Sequence, residues 1–213
     1  MKACVVITEN NIRRAISIAE NFSIAEIRLD VCRFRSQHIQ EIFSLPIDTI
    51  ATYREDDGFH ASVQKMDELK KAISAGASYI DLELSLNTQQ KEDLILFAKA
   101  YGAKVIISHH DFDKTPPLNT LKEIISQSRE IGADIVKIAT KVNFRDDCIN
   151  LLNLYKGESD LIAFGMGEDA KFTRINSMFL GAPFAYVYHK SSNKTAEGQL
   201  SYKEFETIMS YLC

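Results

Sequence analysis

The 213-residue chain is short of several things, and each shortage removes a class of function. No apolar run approaches the ~20 residues that a bilayer-spanning helix needs. The opening Met-Lys-Ala-Cys-Val-Val-Ile-Thr turns polar too soon for a secretory hydrophobic region. Positive charge is not in excess: the formal net charge is −4, which leaves no electrostatic footprint for nucleic acid or an anionic membrane. The cysteines Cys4, Cys32, Cys148 and Cys213 are scattered without a C-x-x-C pair. They read as reduced thiols of a cytoplasmic protein, not as a disulfide framework or a zinc site. No H-E-x-x-H or comparable spacing offers a metal site, and no G-x-G-x-x-G follows the first apolar run. Linkers, charge runs and low-complexity stretches are missing too, so one catalytic domain over residues 1–213 is expected.

What the chain does have is alternation. Short β-branched runs fall at Ala3–Thr8, Ala25–Asp30, Ile47–Arg54, Tyr79–Leu84, Lys104–His110, Ile135–Thr140, Leu161–Met166 and Ala185–His189. Amphipathic segments at helical spacing lie between them, among them Asn11–Asn21, Ser62–Ala75, Gln89–Tyr101, Leu118–Ile131 and Asn143–Tyr155. Thr88 stands where a helix N-cap is wanted, and Gly102, Gly132 and Gly157 where a left-handed C-terminal residue is wanted. Gly-Ala-Ser-Tyr-Ile-Asp (76–81), Gly-Ala-Lys-Val-Ile-Ile (102–107) and Gly-Ala-Asp-Ile-Val-Lys (132–137) repeat one helix-to-strand turn. Eight such units predict an α/β fold, a parallel eight-stranded (β/α)₈ TIM barrel; an open doubly wound sheet lacks its glycine fingerprint.

In such a barrel the chemistry gathers at the C-terminal ends of the strands. Side chains two apart share a face, so Glu26 and Arg28 oppose Ile27 and Leu29, and Thr52 and Arg54 oppose Ala51 and Tyr53. Asp81 and Glu83 likewise oppose Ile80, Leu82 and Leu84. Ile106, Ser108 and His110 share one face of the fifth strand; Ile135, Lys137 and Ala139 share one face of the sixth. Buried charges are costly unless paired or used. A structural network accounts for Asp81 and Glu83, but a lone Lys137 between Val136 and Ile138 on a central strand is poorly explained that way. An imine-forming lysine must be partly neutral near pH 7, well below the ~10.4 of the free side chain. Desolvation and nearby arginines supply that bias, and Arg28, Arg54 and Arg174 are the candidate neighbours. Histidine is the natural acid and base beside an imine. His109 and His110 face opposite ways, which argues against joint metal ligation, and His38, His60 and His189 read as surface or loop residues. Residue chemistry thus points to a Schiff-base barrel enzyme acting on a small anionic carbonyl compound.

The motifs then carry a resemblance. Glu26-Ile27-Arg28-Leu29-Asp30, Thr52-Tyr53-Arg54, Ser108-His109-His110-Asp111-Phe112, Ala133-Asp134-Ile135-Val136-Lys137-Ile138-Ala139, Met166-Gly167 with Arg174, and Thr195-Ala196-Glu197-Gly198-Gln199 occur in order along the chain. Together they resemble the type I 3-dehydroquinate dehydratases, class I aldolase-like barrels of the shikimate pathway. The resemblance implies a lyase that converts 3-dehydroquinate to 3-dehydroshikimate by syn elimination. Lys137 would form the imine and His110 would act as general acid and base. Arg174, Thr195 and Gln199 would hold the substrate carboxylate; Glu26, Arg28 and Arg54 would bind ring hydroxyls. No metal, nucleotide or flavin is implied, and a homodimer is among the assemblies left open.

Two positions depart from the family pattern. Thr195 stands where serine is usual. After Arg54 the family usually reads three residues and then Glu-Gly-Gly, whereas Glu55-Asp56-Asp57-Gly58 is one residue shorter and lacks that glutamate. Asp57, the only acid there before a glycine, becomes the expected partner of His110, with Glu83 and Asp81 next in line. Another class I aldolase would share barrel and lysine but would usually add a phosphate site near the last strands. A non-catalytic binding barrel would have no use for both Lys137 and His110.

Overall fold

The computed structural model of the chain describes residues 1–54, 59–190 and 194–212, with the side chains of 59–62 left aside. Nine strands are described: β1 (Ala3–Ile7), β2 (Ile24–Arg28), β3 (Asp48–Thr52), β4 (Tyr79–Glu83), β5 (Lys104–Asp111), β6 (Ile135–Lys141), β7 (Leu161–Met166), β8 (Ala185–Tyr188) and β9 (Leu200–Ser201). The helices are α1 (Ile12–Ala19), α2 (Leu29–Cys32), α3 (Ser36–Phe43), α4 (Phe59–Ser74), α5 (Thr88–Ala100), α6 (Leu118–Ile131), α7 (Arg145–Asn153), α8 (Lys171–Phe179) and α9 (Tyr202–Leu212). All strand pairs are parallel, in the order β7-β6-β5-β4-β3-β2-β1-β8-β9. Because β8 returns to lie beside β1, the sheet curls into the (β/α)₈ barrel that the alternation predicts. Among the described residues no ladder joins β7 to β8; Phe164 and Met166 of β7 meet Phe184 and Tyr186 in one apolar cluster across that seam.

The repeated Gly-Ala turns work as helix stops. Gly76, Gly102 and Gly132 all have positive φ (108°, 78° and 109°). The alanine after each donates its N–H back five residues, Ala77 to Ala72, Ala103 to Ala98 and Ala133 to Ser128, at 2.9–3.1 Å. That bond satisfies a helix-end carbonyl and aims the chain at the next strand. At the start of α5 the cap is Asn87, not Thr88. Its side-chain oxygen accepts from the N–H groups of Gln89 and Gln90 at 3.0 and 3.3 Å, a reach that Thr88, already the first helical residue, lacks. The second strand also ends earlier than its apolar run suggests: Leu29 and Asp30 open α2.

Period-two alternation divides the apolar residues into two separate clusters. Val5, Ile7, Ile27, Ile80, Leu82, Val105, Ile107, Val136 and Ile138 pack outward beneath the helices. Cys4, Val6, Ile24, Ile50, Ile106, Ile135 and Ala139 fill the barrel interior. Each such fully buried aliphatic side chain contributes roughly 1.5–3 kcal/mol. The interior is apolar toward the N-terminal ends of the strands and turns charged from their middles, where Glu26, Asp81 and Lys137 are buried; Arg174 of α8 is buried as well. That reversal positions the site.

Candidate active site

Lys137 enters the barrel from the middle of β6, held there by Val136 and Ile138, which anchor the strand in the outer layer. The residue is 5 % exposed. Nζ donates to Asp81 Oδ2 at 3.0 Å, lies 3.8 Å from Glu26 Oε1 and sits 4.1 Å from the ring centre of Tyr186. The charged groups in contact with Nζ are therefore carboxylates. Of the three arginines expected around it, Arg54 reaches it through Asp81, and Arg28 and Arg174 line the same cavity.

Arg54 ties the carboxylates together. Its Nη2 lies 2.6 Å from Asp81 Oδ2, and its Nη1 lies 2.5 Å from Glu83 Oε2 and 2.8 Å from Ser108 Oγ. Ser108 in turn donates to Asp81 Oδ1 at 2.6 Å. Burial alone would raise the Asp81 carboxyl, but Arg54, Lys137 and the Ser108 hydroxyl outweigh it and hold it well below the ordinary carboxylate range.

His110, one rung along β5 from Ser108, has its Nδ1 2.9 Å from Glu83 Oε2 and 3.1 Å from Oε1, and its backbone N–H donates to Oε1 at 3.0 Å. The carboxylate on Nδ1 is thus Glu83; Asp57, the partner first expected, lies outside the described residues, as do Glu55 and Asp56. Burial tends to raise Glu83, yet the hydrogen bond and charge of His110, with Arg54, leave it lower than a free glutamate. His110 is itself lowered, first by burial and then by Arg54, against the opposing pull of Glu83. The neutral imidazole therefore carries its proton on Nδ1 toward Glu83 and leaves Nε2 as the basic nitrogen. His109 points the other way, as strand parity requires, and its buried Nε2 has no hydrogen-bond partner among the described residues.

The opposite wall comes from β7, α8 and the loop before β9. Arg174 is 3 % exposed, and its guanidinium carbon lies over Phe164, 4.0 Å from the ring centre. Its Nε and Nη2 have no hydrogen-bond partner among the described residues, and burial pushes its pKa down to about 9. Gln199 Oε1 accepts from the Thr195 N–H at 2.9 Å and from its hydroxyl at 3.1 Å, which folds the loop on itself. Gly198 docks this loop on the end of β7: a Cβ there would stand 2.2 Å from the Gly167 carbonyl oxygen. Lys141 pairs with Glu197 at its rim.

Glu26, Arg28, Arg54, His110, Lys137, Arg174, Thr195 and Gln199 all line one cavity, with Phe112, Met166 and Tyr186. Arg28 is held by a two-point ion pair to Asp30 at 3.0 and 2.6 Å, and Glu26 accepts from Thr52 at 2.9 Å. The residues that sequence reasoning undervalued are Asp81 and Glu83. Their alternation with Ile80 and Leu82 was the available signal, since it turns two acids into a barrel already occupied by Lys137 and His110. Among the described residues, no group of three or more His, Cys, Asp or Glu is gathered for a metal ion. No described helix is long and apolar enough to cross a membrane.

Known proteins match this arrangement along the whole chain. The family model for type I 3-dehydroquinase matches residues 3–212. A 3-dehydroquinate dehydratase of Methanocaldococcus jannaschii is 33% identical over 218 residues, covering 96% of each chain. One of Pyrococcus abyssi is 30% identical over 97% of this chain and 96% of its own. The crystal structure of a type I 3-dehydroquinate dehydratase from Clostridium difficile superposes with a TM-score of 0.84 at 25% identity, covering 99% of this chain and 91% of that one. The enzyme of Aquifex aeolicus gives 0.82 at 25%, covering 100% and 99%. The chain belongs to the type I 3-dehydroquinase family.

Proposed function

We propose that this chain, as a single catalytic barrel of the cytoplasm, dehydrates 3-dehydroquinate to 3-dehydroshikimate in the shikimate pathway through a Schiff base on Lys137, with His110 as general acid and base. The observation that carries the reading is that Lys137, His110 and Arg174 line one cavity. These are an amine, a neutral base and a buried guanidinium with unpartnered N–H groups.

Arg174, with Thr195 and Gln199, binds the substrate carboxylate; a planar donor suits that group, and the ligand would relieve the unpaired N–H groups. Glu26, Arg28 and Arg54 orient the ring hydroxyls. Lys137 attacks the C3 ketone, water leaves, and the C3=N iminium draws electrons from C2. His110 Nε2 removes the C2 proton, and the resulting enamine expels the C1 hydroxyl, which leaves as water with the proton His110 returns. Hydrolysis of the iminium frees the product and Lys137. Glu83 keeps the same imidazole nitrogen facing the ring for both transfers.

The test is incubation with 3-dehydroquinate and borohydride. The expected result is inactivation with a reduced adduct on Lys137 in peptide mass maps, alongside new enone absorbance when borohydride is left out. Turnover with an unmodified Lys137 would rule out the imine.

A further inference from the structure

Two carboxylates touch Lys137, and they are built differently. Glu26 lines the cavity, takes one hydrogen bond from Thr52 and lies 3.8 Å from Nζ. Asp81 sits behind the lysine, 1 % exposed, with Oδ2 3.0 Å from Nζ. Arg54 Nη2 forms an ion pair with Oδ2 and Ser108 Oγ donates to Oδ1, each at 2.6 Å. Glu26 faces the cavity that a ligand would enter. Asp81 cannot reach one.

We propose that Asp81 is the fixed counter-anion of the imine, a catalytic residue whose Oδ2 holds the proton on the Lys137 nitrogen from condensation to hydrolysis. This rests on the Schiff-base reading above. Condensation forms the C3–N bond and releases the ketone oxygen as water, leaving one hydrogen on the nitrogen. Only that protonated imine withdraws electrons strongly enough to acidify C2. When the C2 proton leaves to His110, the electron pair moves into C2–C3 and the C3=N pair comes to rest on nitrogen. When the C1–O bond breaks, the flow reverses and the cation returns. A buried negative charge 3.0 Å away favours the cationic states on both sides of that passage. Arg54 and Ser108 keep the carboxylate from taking the proton itself, so it acts by charge and not as a base.

The experiment compares wild type, Asp81→Asn, which keeps an acceptor oxygen but loses the charge, and Asp81→Ala. Removing a preorganised electrostatic contact of this kind typically costs about 10²–10³-fold in kcat. Asp81→Asn and Asp81→Ala are both expected to fall by that order with little change in KM. Hydrogen exchange at C2 of bound substrate and borohydride capture at Lys137 are expected to drop in parallel. Asp81→Asn at wild-type rates, with Asp81→Ala impaired, would mean that Asp81 only aims the lysine and would overturn the proposal. Because either variant can fail to fold, wild-type protein carrying ¹⁵N-ε-lysine is saturated with 3-dehydroshikimate and its imine nitrogen is read by NMR. A protonated iminium at neutral pH is expected; an unprotonated imine nitrogen overturns the role of Asp81 while leaving the imine intact. Wild-type turnover with no Lys137 adduct at all overturns both readings together.

Discussion

The two walls of the cavity are finished to different degrees. On the side built by β2 to β6, Arg54 bridges Asp81 and Glu83, which in turn hold Lys137 and His110. On the side built by β7, β8 and α8, Arg174 keeps two buried N–H groups and Tyr186 a buried hydroxyl with no hydrogen-bond partner among the described residues. A buried polar group left unpaired costs about 1–3 kcal/mol, more when charged. The first wall thus prepares its own reactive groups without help from a ligand. The second tolerates an unfavourable state that an anionic ligand would relieve, so the function proposed above would separate binding energy and chemistry in space.

Substitutions on the two walls should therefore fail in different ways. Lys137→Ala is expected to have the largest effect, abolishing borohydride capture and essentially all turnover. His110→Ala should still form a trappable imine while kcat falls by about 10²–10⁴-fold, the usual worth of general acid–base catalysis. His109→Ala is the control, since that side chain faces the helices. Equal losses in the two histidine variants would contradict the strand parity on which the site is built.

That parity is why so much could be read in advance. A side chain that alternates with buried aliphatics must face the other way, and this alone put Glu26, Thr52, Arg54, Ser108, His110 and Lys137 into one barrel interior. Which acid meets which base is a different matter, because it depends on the stagger between strands. The register sets Glu83 beside Ser108 and Ser108 beside Lys137, so Glu83 stands one step below His110, within reach of its Nδ1, and Asp81, beside Ile106, one step below Lys137. No spacing along a single strand contains that information, and the loop acid Asp57 was expected at the imidazole ahead of Glu83 and Asp81. Two other details were illegible for simpler reasons. β9 has two residues, too few to show a period, and Asn87 and Thr88 are adjacent residues that both favour caps.

Arg174→Met tests the unfinished wall. Losing hydrogen bonds to a charged group costs about 1.5–3 kcal/mol, which corresponds to a KM roughly 10- to 150-fold higher with a smaller change in kcat. The same variant should be more stable than wild type without ligand. Burial pushes the guanidinium down to about 9, well below its ordinary value, so its charged form opposes folding. By linkage the penalty is complete below about pH 9 and fades as pH rises toward the unfolded value. A higher Tm near pH 7, converging with wild type in alkali, is expected from thermal melts; a lower Tm at both pH values would show that Arg174 is already paired.

Glu83→Gln probes the finished wall more gently. Glu83 supports the protonated imidazole, so without its charge His110 loses its proton at lower pH. The acid limb of the kcat profile should move downward, by about one pH unit for each ~1.4 kcal/mol of lost interaction, and kcat should fall less than in His110→Ala. With Glu83 on Nδ1, Asp57→Asn is expected to keep the wild-type profile. A shifted profile in Asp57→Asn and none in Glu83→Gln would restore the loop acid as the partner.

The smallest effect is expected at the rim of the second wall. Glu197 carries the Lys141 ion pair that ties the Thr195–Gln199 loop to the end of β6, and both side chains are partly solvent-exposed, 58 % and 33 %. Exposed pairs of this kind are worth about 0.2–1 kcal/mol and are screened by salt. The loop has a second anchor that salt does not touch: Gly198 fits against the Gly167 carbonyl, and the Gly167 N–H donates to Glu197 O at 3.3 Å. Glu197→Gln should therefore raise KM by less than about fivefold, leave kcat unchanged, and lose even that difference at high ionic strength. A much larger rise in KM that persists in salt would show that the ion pair, and not the glycine contact, is what holds Thr195 and Gln199 against the cavity.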